Sequence, residues 1–216
     1  MDKSSAKILT PLQIEALDRV FSDAVLGEQF YLTGCTALSA FYLHHRYSDD
    51  LDFFTHAQSV SELWPAVQRL VKDMKGQVVR RSPDFFRAQV GDGLQLDFVR
   101  DVPFRVGVPE RIGKWYVDNR ENITVNKVGA ILGRLDPKDY VDLYYLIRDK
   151  PARIMSLMEQ ASKKDAGVDP FLWSRIIGDA RTMRVLPRMI LPLAIEEIQR
   201  FYEKLQELIL EKIKPA

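Results

Sequence analysis

Residues 30–55, FYLTGCTALSAFYLHHRYSDDLDFFT, constrain the fold more than any other stretch. A short apolar run, FYLT, breaks at Gly34. Small and apolar residues then lead to His44 and His45, and after a polar turn LDFFT alternates Asp with apolar residues. The pattern predicts strand, glycine turn, helix, strand. A strand carrying Asp50 and Asp52 turns both side chains to one face, with Cα atoms roughly 6–7 Å apart. Two carboxylates on an apolar strand are costly to bury unless a cation compensates them. Their spacing suits Mg²⁺ or Mn²⁺, which combine a few carboxylates with water and phosphate oxygens. The alternative is a solvated turn, since 19 Asp in 216 residues make some Asp-x-Asp pairs expected by chance. Asp97, between Leu96 and Phe98 on another candidate strand, supplies a third carboxylate in the metal reading.

Gly34 stands where the first strand turns into a helix, an arrangement whose unpaired N–H groups and helix dipole hold phosphate. Thr36 adds a hydroxyl donor. By itself such a turn equally marks a tight connection. One helix before two aspartates, it points to a nucleoside triphosphate beside a divalent ion.

The rest of the first half is mixed. Thr10 before Pro11 starts a helix expected to end near Gly27, and a further helix is expected from Ser61 to Gly76. QVVRR, FFRAQVG and LQLDFVRD read as strands, the last two joined by Asp92 and Gly93 as a hairpin. VGVPERIGKWYV allows one more short strand. Beyond it only helices are expected, at 124–134, 137–148, 151–163, 170–182 and 192–213, with N-cap plus proline starts at Asp136 and Asp169. The expected class is α+β: a mixed sheet with flanking helices over 1–107, then a helical domain over 108–216.

Composition excludes several classes. One cysteine, Cys35, permits no internal disulfide, and histidines at 44, 45 and 56 show no metal-ligand spacing. No run of about 18 apolar residues exists to span a bilayer, and the N-terminus lacks the apolar stretch of a signal peptide. A soluble, cytoplasmic protein is expected. The formal charge of +1 excludes a uniformly basic nucleic-acid binder but conceals polarity. Residues 1–62 hold four Lys plus Arg against nine Asp plus Glu, and residues 63–216 hold 27 against 21. Arg175, Arg181, Arg184 and Arg188 in the basic part are candidates for contacts to an RNA backbone, or form a solvated face.

The stretch from Tyr31 to Phe54 resembles the signature of DNA polymerase β-type nucleotidyltransferases, a Gly-Gly or Gly-Ser turn, a helix, then Asp-x-Asp. In detail it is most similar to the AbiEii/AbiGii toxin branch: Gly34, Cys35, Thr36, Ala37 and Leu38, then Arg46, Ser48, Asp50, Leu51, Asp52 and Phe53 match its pattern. A second motif of that branch corresponds to Lys127, Ala130, Arg134, Lys138, Asp139, Asp142 and Leu143. The departure is Cys35, where the family has Gly or Ser. It reads as a small packed residue rather than a redox group or nucleophile.

The resemblance implies nucleotidyl transfer from an NTP to an acceptor hydroxyl in a toxin with a cognate antitoxin, as in abortive-infection systems. A tRNA 3′ end is one acceptor it suggests. Gly34, Cys35, Thr36, Arg46, Ser48, Lys127 and Arg134 are the nucleotide-binding candidates; Asp50, Asp52 and Asp97 are the metal-binding and catalytic ones. Arg46 either contacts phosphate or braces the acidic turn through a carboxylate. Lys127 and Arg134, seven residues apart, share a helix face, so Lys127 is expected to neutralise the departing pyrophosphate, the plainer reading being a surface lysine. Asp139 and Asp142 share a face of the next helix. One of them is expected to orient Lys127 or Arg134, or to polarise the acceptor. Two alternatives remain open: transfer to a small molecule or protein side chain, and a catalytically inactive nucleotide-binding interaction module.

Overall fold

The computed structural model describes residues 8–57, 59–134 and 136–214. Residues 1–7, part of the N-terminal stretch read above, lie outside them. The chain divides into two compact units, one of residues 1–103 with 107–119, the other of 104–106 with 120–216.

The first unit opens with α1, Pro11–Ser22, started by a reciprocal capping box. The Thr10 hydroxyl accepts from the Gln13 N–H at 3.2 Å, and the Gln13 side chain accepts from the Thr10 N–H at 2.9 Å. This helix stops short of Gly27 because the Asp23 carboxylate captures the N–H groups of Val25 and Leu26. A single turn, α2 (Leu26–Gln29), leads into β1 (Phe30–Thr33). The helix expected after Gly34 forms as α3, Gly34–Leu38, and widens into a π-turn over Ser39–Leu43 that ends at His44 with φ of 53°. Strand β2 spans Leu51–Thr55. A 3-10 turn at Val60–Leu63 precedes α4, Trp64–Asp73.

The three predicted strands follow as β3 (Gln77–Ser82), β4 (Phe85–Val90) and β5 (Leu94–Arg100). A last hairpin, β6 (Glu110–Ile112) and β7 (Trp115–Val117), completes a seven-stranded sheet of order β3-β4-β5-β2-β1-β7-β6. Strands β2 and β5 run parallel, as do β1 and β7, and the other neighbours are antiparallel. The boundary expected at 107 therefore lies after Asn119, since β7 pairs with β1. Apolar residues at alternate positions fill the core. Phe53 and Phe98 stack with ring centroids 5.1 Å apart, and their neighbours Asp52 and Asp97 must then project from the opposite face.

The second unit is helical: α5 (Arg120–Gly133), α6 (Pro137–Ile147), α7 (Ile154–Ser162), α8 (Pro170–Ile177) and α9 (Ile195–Ile213). Short 3-10 turns stand at Pro151–Arg153 and Gly178–Thr182. Both predicted aspartate caps form, Asp136 accepting from the Lys138 N–H and Asp169 from the Leu172 N–H. The buried Trp173 indole on α8 donates to the Val128 carbonyl of α5 at 2.9 Å, and the Tyr202 hydroxyl on α9 donates to the Tyr140 carbonyl of α6 at 2.7 Å. Among the described residues no helix is long and apolar enough to cross a membrane.

Candidate active site

The strand register assembles the acidic site. Thr33 on β1 lies opposite Asp52 on β2, Asp52 opposite Asp97 on β5, and Asp97 opposite Arg87 on β4. Register partners share a face, so these four side chains form one row across four strands. Asp50 stands two residues before Asp52, just ahead of β2 rather than within it, and is half-buried like Asp52. Asp97 is buried.

Gly34 abuts this row at the end of β1. Its φ is +71°, and a Cβ placed there would lie 2.2 Å from Asp52 Oδ2. Only glycine allows the backbone to turn left-handed against that carboxylate. Cys35, half-buried, follows it at the start of α3.

Three of the nucleotide-binding candidates hold the turn itself. Thr36, expected to donate to phosphate, is buried and donates its hydroxyl to the Asp50 carbonyl. A hydroxyl has one proton to donate, so Thr36 ties the helix to the acidic turn instead. Arg46 is fully buried, donates to the Tyr47 carbonyl at 2.9 Å, and its own carbonyl accepts from Ser39. The fully buried guanidinium thus holds the turn through its backbone. The Ser48 carbonyl accepts from the Gln13 side chain at 2.9 Å, joining the turn to α1.

Two residues that the sequence reading passed over belong to this site. Arg87 donates Nε to Asp97 Oδ1 at 2.8 Å and Nη2 to Asp97 Oδ2 at 2.7 Å, a bidentate pair. Hydrogen bonding to Asp97 raises the guanidinium's pKa against the cost of burial, with further attraction from Asp97, Asp50 and Asp52. Asp118, fully buried after β7, accepts from the Thr33 hydroxyl at 2.8 Å and so fixes the strand end that precedes Gly34. The Arg87 pairing had a signal in the sequence: a hairpin centred on Asp92 sets position 87 opposite 97.

The second motif forms its own buried cluster in the helical unit. Lys127 Nζ on α5 lies 2.7 Å from Asp139 Oδ1 and 2.6 Å from Asp142 Oδ2 on α6. Its side chain is 5% exposed and both carboxylates are fully buried, which excludes the surface-lysine reading. Arg134 Nε reaches Asp139 Oδ2 at 2.8 Å from a largely exposed position. Asp139 thus binds both basic residues. Burial alone would raise its pKa, but attraction to Lys127 and the bonds from Arg134 and Lys127 outweigh burial and lower it below the ordinary 3.8.

A carboxylate depressed on folding contributes stability that is complete above its unfolded pKa and is lost as pH falls through the folded value. Urea unfolding followed from about pH 6 to about pH 2 should therefore show an acid limb that Asp139→Asn makes shallower. Equal slopes in the two proteins would refute this pairing.

The donors in the strand row are carboxylate oxygens, and this set fits a hard divalent cation such as Mg²⁺ or Mn²⁺. Gly34 leaves space beside Asp52 that any side chain would fill.

The sequence profile of the family described as nucleotidyl transferase AbiEii toxin, type IV TA system, matches residues 15–212. An uncharacterized protein of Aquifex aeolicus (strain VF5) is 27% identical over 207 residues, 94% of each chain. Among solved structures, a putative nucleotidyltransferase from H. pylori matches with a TM-score of 0.58 and 18% identity over the whole of both chains. The nucleotidyltransferase toxin MenT4 of Mycobacterium tuberculosis H37Rv matches with a TM-score of 0.52 and 14% identity over 99% of this chain and 85% of its own. These neighbours share the nucleotidyltransferase fold.

Proposed function

Since the chain belongs to the AbiEii nucleotidyltransferase toxin family, we propose that it transfers a nucleoside monophosphate from an NTP to an acceptor hydroxyl, with Asp50, Asp52 and Asp97 holding Mg²⁺ or Mn²⁺. The row from Thr33 through Asp52 to Asp97 carries this reading. The ion, when bound, would neutralise phosphate oxygens and favour ionisation of the acceptor hydroxyl. Backbone N–H groups of the Gly34–Cys35 turn bind triphosphate oxygens, which tolerates the cysteine because no side-chain donor is needed. Asp97 accepts the proton of the acceptor hydroxyl as its oxygen attacks the α-phosphorus. The bond from the α-phosphorus to the bridging oxygen breaks, and pyrophosphate leaves with the electron pair. Lys127, oriented by Asp139 and Asp142, supplies the counter-charge to that leaving group, and Arg134 binds phosphate from its exposed position.

A cognate antitoxin is the protein partner in this reading, and RNA, with the tRNA 3′ end as first candidate, is the acceptor. The exposed Arg175, Arg181, Arg184 and Arg188 suit an RNA backbone. The test is incubation with each α-labelled NTP and, in turn, total tRNA, protein extract or small-molecule acceptors, with and without EDTA. Label on tRNA that EDTA abolishes is the expected result. Label on protein or a small molecule moves the acceptor but keeps the chemistry. NTP binding without transfer to any of these overturns the enzyme in favour of an interaction module.

A further inference from the structure

The Arg87–Asp97 pair stands in the way of a metal ion. Both oxygens of Asp97 already accept from the guanidinium, and Gln95 Nε2 lies 3.4 Å from Oδ2. A divalent cation drawing on the same carboxylate must share it with a positive charge or displace that charge. Arg87 is built to leave. Its side chain is 37% exposed against 8% for Asp97, so the guanidinium sits on the solvent side of the pair. Its Cζ lies 5.3 Å from the Phe85 ring centroid, so the aromatic face offers the guanidinium a second favourable contact beside Asp97. Lys127, buried between two aspartates, has no comparable exposure.

Electrostatics explains why such a pair forms in the free protein. Asp52 and Asp97 are register partners on adjacent strands, with Asp50 two residues away, and three carboxylates so placed repel without a cation. Arg87 is in the field of all three.

We propose that Arg87 is the resident counterion of the acidic row, holding Asp97 while no divalent ion is bound and yielding it when an ion arrives. The released guanidinium then faces anionic substrate, since its planar fork matches phosphate as well as carboxylate. Metal loading and the presentation of Arg87 to the triphosphate become one event, which keeps the proton-accepting Asp97 occupied until the site is charged. This inference rests on the metal-dependent reading above and deepens it; Arg87 is a positioning residue for Asp97.

The test is Mn²⁺ binding to the nucleotide-free protein, read from the paramagnetic resonance signal of unbound Mn²⁺, in the parent, Arg87→Met, Arg87→Lys, Asp97→Asn and the double variant Arg87→Met with Asp97→Asn. Arg87→Met should bind Mn²⁺ about tenfold more tightly, or more, because a competing unit charge is removed at close range. Arg87→Lys, which keeps a charge but loses the bidentate geometry, should fall between. In the Asp97→Asn background the change Arg87→Met should tighten binding by less than it does in the parent, leaving only the share due to Asp50 and Asp52. A merely structural role for Arg87 would weaken binding, so unchanged or weaker affinity in folded Arg87→Met overturns the proposal. Should Arg87→Met fail to fold, unchanged affinity in Arg87→Lys overturns it equally. Parent binding that Asp52→Asn abolishes and Arg87→Met leaves unaltered sinks the counterion role alone. Absence of Mn²⁺ binding in the parent sinks the metal reading and this inference with it.

Discussion

Asp52→Asn is expected to reduce nucleotidyl transfer by about 10³-fold or more, the scale on which removal of a preorganised electrostatic group acts, while the fold keeps or gains stability. Asp52 occupies the centre of the row, between Thr33 and Asp97, and lies against the Gly34 backbone. Asparagine preserves the shape that Gly34 accommodates and removes the charge. Loss of that charge weakens the hold on a cation and relieves repulsion with Asp97, so activity and stability should move apart. Single-turnover assays with labelled NTP, beside thermal melting of the free protein, make the measurement. Transfer within tenfold of the parent would sink the metal mechanism, and a lowered melting point would make Asp52 a structural residue.

Lys127→Met should lose stability together with activity. Lys127 is the cation between two fully buried carboxylates, and removing one partner of a buried ion pair costs about 3–5 kcal/mol because the other charge stays behind. Arg134 still reaches Asp139, but from a position 59% exposed, where solvent screens it. The helical unit should therefore loosen around α5 and α6. Hydrogen exchange of amides in those helices resolves the effect from the strand-bearing unit, where a single global unfolding curve would merge the two. Unaltered exchange there would show that the cluster does not hold these helices together. Lys127→Arg should not rescue fully, since a forked, planar head replaces a compact point charge in a space fitted to the latter.

Much of this site was legible before any coordinates. Alternation in LDFFT and LQLDFVRD predicted two strands, and β2 and β5 have these bounds nearly to the residue, with Asp50 falling just ahead of β2. The motif around Lys127 and Asp139 implied a functional pairing between neighbouring helices, and their side chains meet. Thr36 is a residue of the right type in the right motif, but a donor near a sharp turn is claimed first by its backbone carbonyls, which sequence spacing does not reveal. Arg87 and Asp118 were missed for the converse reason: each is ordinary in its own segment and gains a role only from the strand beside it. The early end of α1 followed from Asp23, a cap whose partners lie within three residues.

By itself, the sequence determined the local elements, the α+β class and the chemistry at hand, because strand alternation, helix caps and the glycine turn act over a few residues. It also determined the family, whose motifs lie in contiguous runs. Only the tertiary structure decided which carboxylates share a row and that the final hairpin belongs with the sheet. Those facts depend on strand order and register, set by which apolar faces pack together across dozens of residues, and one step of register would turn every side chain of the row to the opposite face.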